Sequence, residues 1–196
     1  MKNKIITLLI LTLTISMALF AVTACKQEAI YSVDFIIDGQ AQTVQVVDGG
    51  KVEKPETPSK AGYNFDGWFA GNEEWSFEED VVTGNVDLEA RFSVINYTIS
   101  YELNGGTVAT ANPTNYTVET PTITLNNPSK DYYNFLGWQV GNGAPNPTTK
   151  IEVGSIGNKS FTAIYAPIEY TITYVLNGGL AQNKTTYTCE DTFTLA

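Results

Sequence analysis

Nine residues recur three times along this chain, and that recurrence limits its fold more than any other feature. Tyr31-Ser32-Val33-Asp34-Phe35-Ile36-Ile37-Asp38-Gly39 returns as Tyr97-Thr98-Ile99-Ser100-Tyr101-Glu102-Leu103-Asn104-Gly105. It returns again as Tyr170-Thr171-Ile172-Thr173-Tyr174-Val175-Leu176-Asn177-Gly178. Large apolar residues alternate with small or polar ones, and Asp-Gly or Asn-Gly follows. This is the period-two signature of a half-buried strand entering a tight hairpin turn. Repetition of this kind predicts an array of small modules rather than one catalytic core.

Each complete module has a second half built on a proline-bearing turn and an aromatic strand. It reads Pro58-Ser59-Lys60-Ala61-Gly62-Tyr63-Asn64-Phe65-Asp66-Gly67-Trp68 in one copy and Pro128-Ser129-Lys130-Asp131-Tyr132-Tyr133-Asn134-Phe135-Leu136-Gly137-Trp138 in the next. The prolines fall outside the apolar runs, as strand hydrogen bonding requires. Tyr63 and Phe65 share a strand face with Gly67, whose missing side chain leaves room for a neighbouring ring. Trp68 falls on the opposite face by parity, so it either turns through a bulge or lies across a module edge. A closing strand at 86–92 or 160–165 completes each module.

The spacing divides the chain into a leader (1–24), a tether (25–30), complete modules at 31–92 and 97–165, and a partial third module at 170–196. Four-residue joints, 93–96 and 166–169, hold neighbours close. The high Thr, Val, Ile and Tyr content favours strands throughout. The expected fold is mostly β: tandem small β-rich modules, two complete and one truncated, after an N-terminal signal helix. The third copy has no Pro-Ser-Lys block, Gly-Trp pair or closing strand, and an isolated hairpin is marginal in water. Either the chain is a fragment of a longer protein or this copy is a degenerate cap.

Lys2 and Lys4 open the chain, an apolar stretch fills residues 5–22, and Val22-Thr23-Ala24-Cys25 closes it. A basic start, an apolar middle and small residues before a cut site describe a secretory signal peptide. The cysteine at that spot makes the segment resemble a bacterial lipoprotein signal. The resemblance implies lipid on Cys25, cleavage before it and a tether to the outer face of the bacterial membrane. The competing reading is an uncleaved anchor, since about 20 apolar residues span a bilayer. Under both, the remainder faces outward.

Beyond the two leading lysines the chain carries nine basic residues against 21 acidic ones. Such a surface repels phosphate backbones and argues against a nucleic-acid partner. The densest acidic patch, Glu73, Glu74, Glu78, Glu79 and Asp80, lacks the alternating ligands and turn glycine of a calcium loop and reads as a solvated stretch. There is no histidine, which removes the commonest metal ligand and the commonest general base. No catalytic residue, metal site or cofactor is expected. With Cys25 lipidated, only Cys189 remains. Repeat alignment puts it at the place of Val118, as a small core hydrophobe rather than a reactive thiol. Trp68, Trp75 and Trp138 have two readings: core anchors, or a ligand-contacting strip for sugar or protein.

The opening Tyr-x-hydrophobic-x-aromatic strand, the Pro-x-Lys-x-Gly-Tyr-x-Phe-x-Gly-Trp block and the closing x-Ala-x-aromatic strand together resemble the internalin B-repeat, or Listeria–Bacteroides repeat, family. Trp75-Ser76-Phe77 is similar to the family's Trp-Asp-Phe segment, while Asp131-Tyr132 departs from its residue-glycine pair. The resemblance implies a compact module related to the β-grasp fold. It also implies a place on bacterial cell surfaces in adhesion or spacing, with no shared enzymatic activity. The expectation is a lipid-anchored stalk or adhesive protein, its partners the membrane and a host or cell-wall protein or glycan. The alternative makes these repeats the spacer or targeting part of a secreted enzyme whose catalytic domain lies beyond residue 196. A solute-binding lipoprotein fits poorly, because no helical pattern follows the signal.

Overall fold

The computed structural model describes residues 27–180 and 182–194. The signal segment, with its expected helix, and Cys25 lie outside them. The described residues form thirteen strands and no helix, so the mostly β, tandem-module reading holds.

The first repeat supplies β1 (Ile30–Ile37), β2 (Gln40–Val47), β3 (Tyr63–Ala70), β4 (Glu73–Glu74) and β5 (Val86–Val94). The second supplies β6 (Tyr97–Glu102), β7 (Asn115–Tyr116), β8 (Ile123–Thr124), β9 (Tyr133–Gln139), β10 (Lys150–Ile151) and β11 (Lys159–Pro167). The third contributes β12 (Tyr170–Thr171) and β13 (Thr186–Tyr187). Strand order is β2-β1-β5-β3-β4 in the first sheet and β7-β6-β11-β9 in the second, so the same four positions recur in the same order. Two further sheets are the short pairs β10-β8 and β12-β13. In the second repeat β11 runs parallel to β6 on one side and antiparallel to β9 on the other. An asparagine ahead of the closing strand caps the opening strand in both repeats: Asn85 Oδ1 accepts from Ser32 N at 2.9 Å, and Asn158 Oδ1 from Thr98 N at 3.0 Å.

The Asp-Gly and Asn-Gly turns form as expected, with positive φ at both residues: 48° and 78° at Asp38-Gly39, 48° and 81° at Asn104-Gly105. That pair of left-handed residues matches the twist of a two-residue hairpin. Only the first repeat completes one there, with Ile37 opposite Gln40. In the second repeat Gly106 N returns to Leu103 O at 2.9 Å, but Thr107 then pairs with Ser129. The return strand β7 is delayed to residue 115. A side chain at Gly106 would run into the Tyr165 hydroxyl, which donates to Leu103 O at 3.2 Å. Gly106 is thus packed against Tyr165 of β11 where the chain leaves the turn.

Contacts divide the described chain into two compact units, 27–54 with 75–88, and 55–74 with 89–194. The strand β5 contributes residues to both. Val33, Phe35, Val52, Val82 and Leu88 are buried in the first unit, where Phe35 also stacks on Phe77. In the second, Ile99, Tyr116, Leu125, Trp138, Ile151, Phe161 and Ala163 form one core. The third repeat lacks that cover among the described residues: Tyr187, which pairs with Tyr170 as Tyr116 pairs with Tyr97, is 38% exposed against 3% for Tyr116.

Candidate functional site at the joints between repeats

The tryptophans do not make a surface strip. Trp68 and Trp138 are 2% and 1% exposed, and Trp75 is half-buried. Strand parity fails at the second Gly-Trp pair because of a bulge. Tyr165 lies opposite Phe135 and Ile164 opposite Gly137, so Leu136 is an extra, bulged residue. A bulge shifts the following side chains by one face. It brings Trp138 to the side of Phe135, with ring centroids 5.8 Å apart and edge-on. Phe65 and Trp68 meet in the same way at 5.9 Å. Tyr101 and Phe161 close over Trp138. At this burial Trp68 and Trp138 are core residues, while Trp75 is only half-buried.

The motif lysine has a local task. Lys60 Nζ sits over the rings of Tyr63 and Phe92 at 4.8 and 5.6 Å, and Lys130 Nζ over Tyr133 and Tyr165 at 4.2 and 5.4 Å. Each cation–π pair ties the proline turn to the closing strand across the ring quadrupoles. The acidic patch gathers no metal set; among the described residues no group of three or more His, Cys, Asp or Glu is placed to hold an ion.

What recurs with matched geometry is the joint. Tyr63 Oη donates to Glu119 Oε1 at 2.6 Å, and Tyr133 Oη to Glu190 Oε1 at 2.8 Å. In each case the tyrosine opens the aromatic strand of one repeat and the glutamate belongs to the next. Beside each bond a second one ties the connection down: Ile95 N donates to Gly62 O at 2.9 Å, and Ile168 N to Tyr132 O at 2.8 Å. The closing strands run through Val94 and Pro167, so only two residues separate each from the next repeat.

The glutamate is presented by a bend that the sequence builds twice. Thr120 N returns to Thr117 O at 3.1 Å and Asp191 N to Thr188 O at 3.2 Å. Side chains hold the bend from inside: Thr117 N donates to Thr120 Oγ1, and Thr188 N to Asp191 Oδ2. Such local side-chain to backbone bonds are what Ser, Thr and Asp favour in turns. Lys184, paired with Asp191, and then the Thr188 amide hold the Asp191 carboxyl below the usual carboxylate range.

The two joints differ at one facing pair. Gly62 packs flush on Val118, and a Cβ there would lie 2.6 Å from the valine Cβ. At the second joint Tyr132 holds the left-handed position with φ 68°, and Cys189 stands where Val118 stood, its Sγ 4.0 Å from Tyr132 O. The cysteine is therefore an exposed joint residue, which corrects its expected place in a core. Together with Tyr170 and Tyr187 this pair lines a cleft of about 270 Å³. The Cys189 thiol and the Glu190 carboxylate push the Tyr133 hydroxyl pKa upward, which keeps it a donor. Sequence reading missed Tyr63, Tyr133, Glu119 and Glu190 as a set. The aligned Tyr-Thr-Val-Glu and Tyr-Thr-Cys-Glu stretches were the one signal that could have found them.

Successive β modules with one strand order and one recurring joint define a tandem β-repeat protein. The profile of the Listeria-Bacteroides repeat domain matches residues 31–91 and 97–166, and the chain belongs to that family. It is 29% identical over 157 residues to a putative Gly-rich membrane protein of Evansella cellulosilytica, covering 76% of this chain and 18% of that one. A putative membrane protein of the same organism is 30% identical over 159 residues, covering 76% and 23%. Internalin H of Listeria monocytogenes is 30% identical over 112 residues, covering 55% and 20%. The matched part spans about a fifth of the length of each of these relatives.

Proposed function

We propose that this is a lipid-anchored protein of the bacterial cell envelope whose repeats act as a spacer, holding its membrane-distal end away from the bilayer. The observation that carries the reading is the joint: two successive junctions use the same donor, acceptor and backbone bond, and connect strands through two residues each. A short connection tied by tertiary hydrogen bonds limits the swing between neighbours, which suits a part that sets distance. The membrane and internalin names of the relatives support an envelope location, and Cys25 is the residue we assign to the anchor. The alternative, a spacer within a larger secreted enzyme, uses the same property of the repeats. Adhesion through Trp68 and Trp138 is not favoured, because both are buried.

Duplicating residues 97–169 ahead of Tyr170, with Val118→Cys in the added copy so that the new joint keeps the Tyr132–Cys189 type of facing pair, tests the spacer, with an epitope tag placed after residue 196. Antibody access to the tag on intact cells should rise with the added repeat. Unchanged access, with attachment to host or glycan surfaces rising instead, would replace the spacer with an adhesive role.

A further inference from the structure

We propose that the tyrosine–glutamate contact and the facing pair beside it form a latch by which each repeat recognises and orients the next. The donor half is the turn that opens the aromatic strand, Gly62-Tyr63 or Tyr132-Tyr133. The acceptor half is the Thr-x-Glu bend of the following repeat. The partner for this surface is thus another repeat carrying that bend. The inference deepens the spacer reading and rests on it for its purpose, since an array that sets distance needs a fixed joint.

Strand register identifies the equivalent bend in every repeat. Tyr31 pairs with Val46, Tyr97 with Tyr116 and Tyr170 with Tyr187. Counting on from these partners, Asp48 and Gly49 of the first repeat stand where Val118-Glu119 and Cys189-Glu190 stand in the others. Residues 1–30 ahead of the first repeat carry no copy of the pattern, and this repeat is the one without the acceptor. Its bend is kept in another form: Gly50 N still returns to Val47 O at 2.8 Å. The backbone at the acceptor place serves its own unit instead, with Asp48 N donating to Ala29 O at 2.8 Å and Gly49 N to Val82 O at 2.7 Å. The bend is therefore present in all three repeats, and the glutamate only where a repeat precedes it.

The chemistry suits recognition. A phenol donating to a carboxylate makes a short, charge-assisted bond with a narrow range of geometry. The neighbouring pair adds a steric check: Gly62 admits Val118 and no larger approach, while Tyr132 faces the smaller Cys189. Two such checks in one joint discriminate the correct neighbour better than either alone.

Hydrogen exchange of the Ile95 and Ile168 amides in the full chain tests the latch. Tyr63→Phe and Glu119→Ala should each speed Ile95 exchange about tenfold, as loss of a hydrogen bond to a charged group implies. Combining them should add little more, because both remove one bond. The Ile168 amide and the core Trp138 amide should keep their rates. Tyr133→Phe and Glu190→Ala should do the reverse, freeing Ile168 and leaving Ile95. Wild-type Ile95 exchange in both first-joint singles overturns the latch, as do effects that multiply independently or a Trp138 amide that speeds up in step. Failure here leaves the tag-access result standing, and a failed tag-access experiment leaves the exchange result standing, so the two readings fall separately.

Discussion

Tyr101 shows how one residue of the repeated pattern couples packing to ionisation. Its ring stacks on Phe161 and leans on Trp138, while its hydroxyl donates to Pro113 O at 2.9 Å. Burial pushes that hydroxyl up to about 12 from its ordinary value of 10.0. A phenol that resists ionisation in the folded state stabilises the fold below the unfolded value and loses that contribution as pH rises through the folded one. The second repeat should therefore weaken between about pH 10 and 12. Urea unfolding followed at about pH 9, 11 and 12 should show a steeper decline for the native chain than for Tyr101→Phe. Equal slopes would mean that another group sets the alkaline limit. The neighbouring Trp138 acts through packing: truncating a buried indole to alanine removes about 3–5 kcal/mol by transfer and cavity terms, a large share of a small module's stability.

At the scale of elements, the bulge in β9 decides where the aromatic side chains go, and Gly137 permits it. Its φ is 145°, and a Cβ there would lie 2.5 Å from Asn146 C and 2.7 Å from Pro147 N. That segment bridges to Trp138 through paired backbone bonds of 2.9 and 3.0 Å. Gly67 has φ 151°, but its nearest neighbours are the Glu74 carboxylate end and the Phe69 ring. The sequence suggests a cross-strand ring at each glycine; the ring beside Gly67 is Phe69 of the same strand, and backbone crowds Gly137. Gly137→Ala should cost about 2–4 kcal/mol, backbone strain and overpacking together. Gly67→Ala should cost less, about 1–2 kcal/mol, because a side-chain end moves aside more easily than a strand. Chemical denaturation of the two variants compares them, and equal losses would reduce both to backbone strain.

At the scale of the whole molecule, the chain is an array with an address. The net charge is −10, an excess of acid that favours solubility and repulsion from anionic surfaces. Retention at the membrane is assigned to Cys25. A single acyl chain binds a bilayer weakly and reversibly, so stable anchoring implies more than one. Cys25→Ala should shift the protein from the membrane fraction to the medium or leave an uncleaved precursor, measured by fractionation and intact mass. Normal processing with full membrane retention would make residues 5–22 the anchor instead.

The amino-acid sequence by itself determined the repeat, the strand-rich modules and the left-handed turns. Period-two alternation and Asn-Gly or Asp-Gly act over neighbouring residues, and the same short patterns recur. It also determined that Pro-Ser-Lys and Gly-Trp belong to one block. Only the tertiary structure decided the face on which Trp138 lies, because one bulged residue inverts parity, and the pattern by itself left a bulge and a module edge as equal alternatives. The joint was the least legible feature. Tyr63 and Glu119 are 56 residues apart, and Tyr133 and Glu190 are 57 apart. A hydrogen bond at that separation leaves no local period; it exists only once two repeats have folded and met.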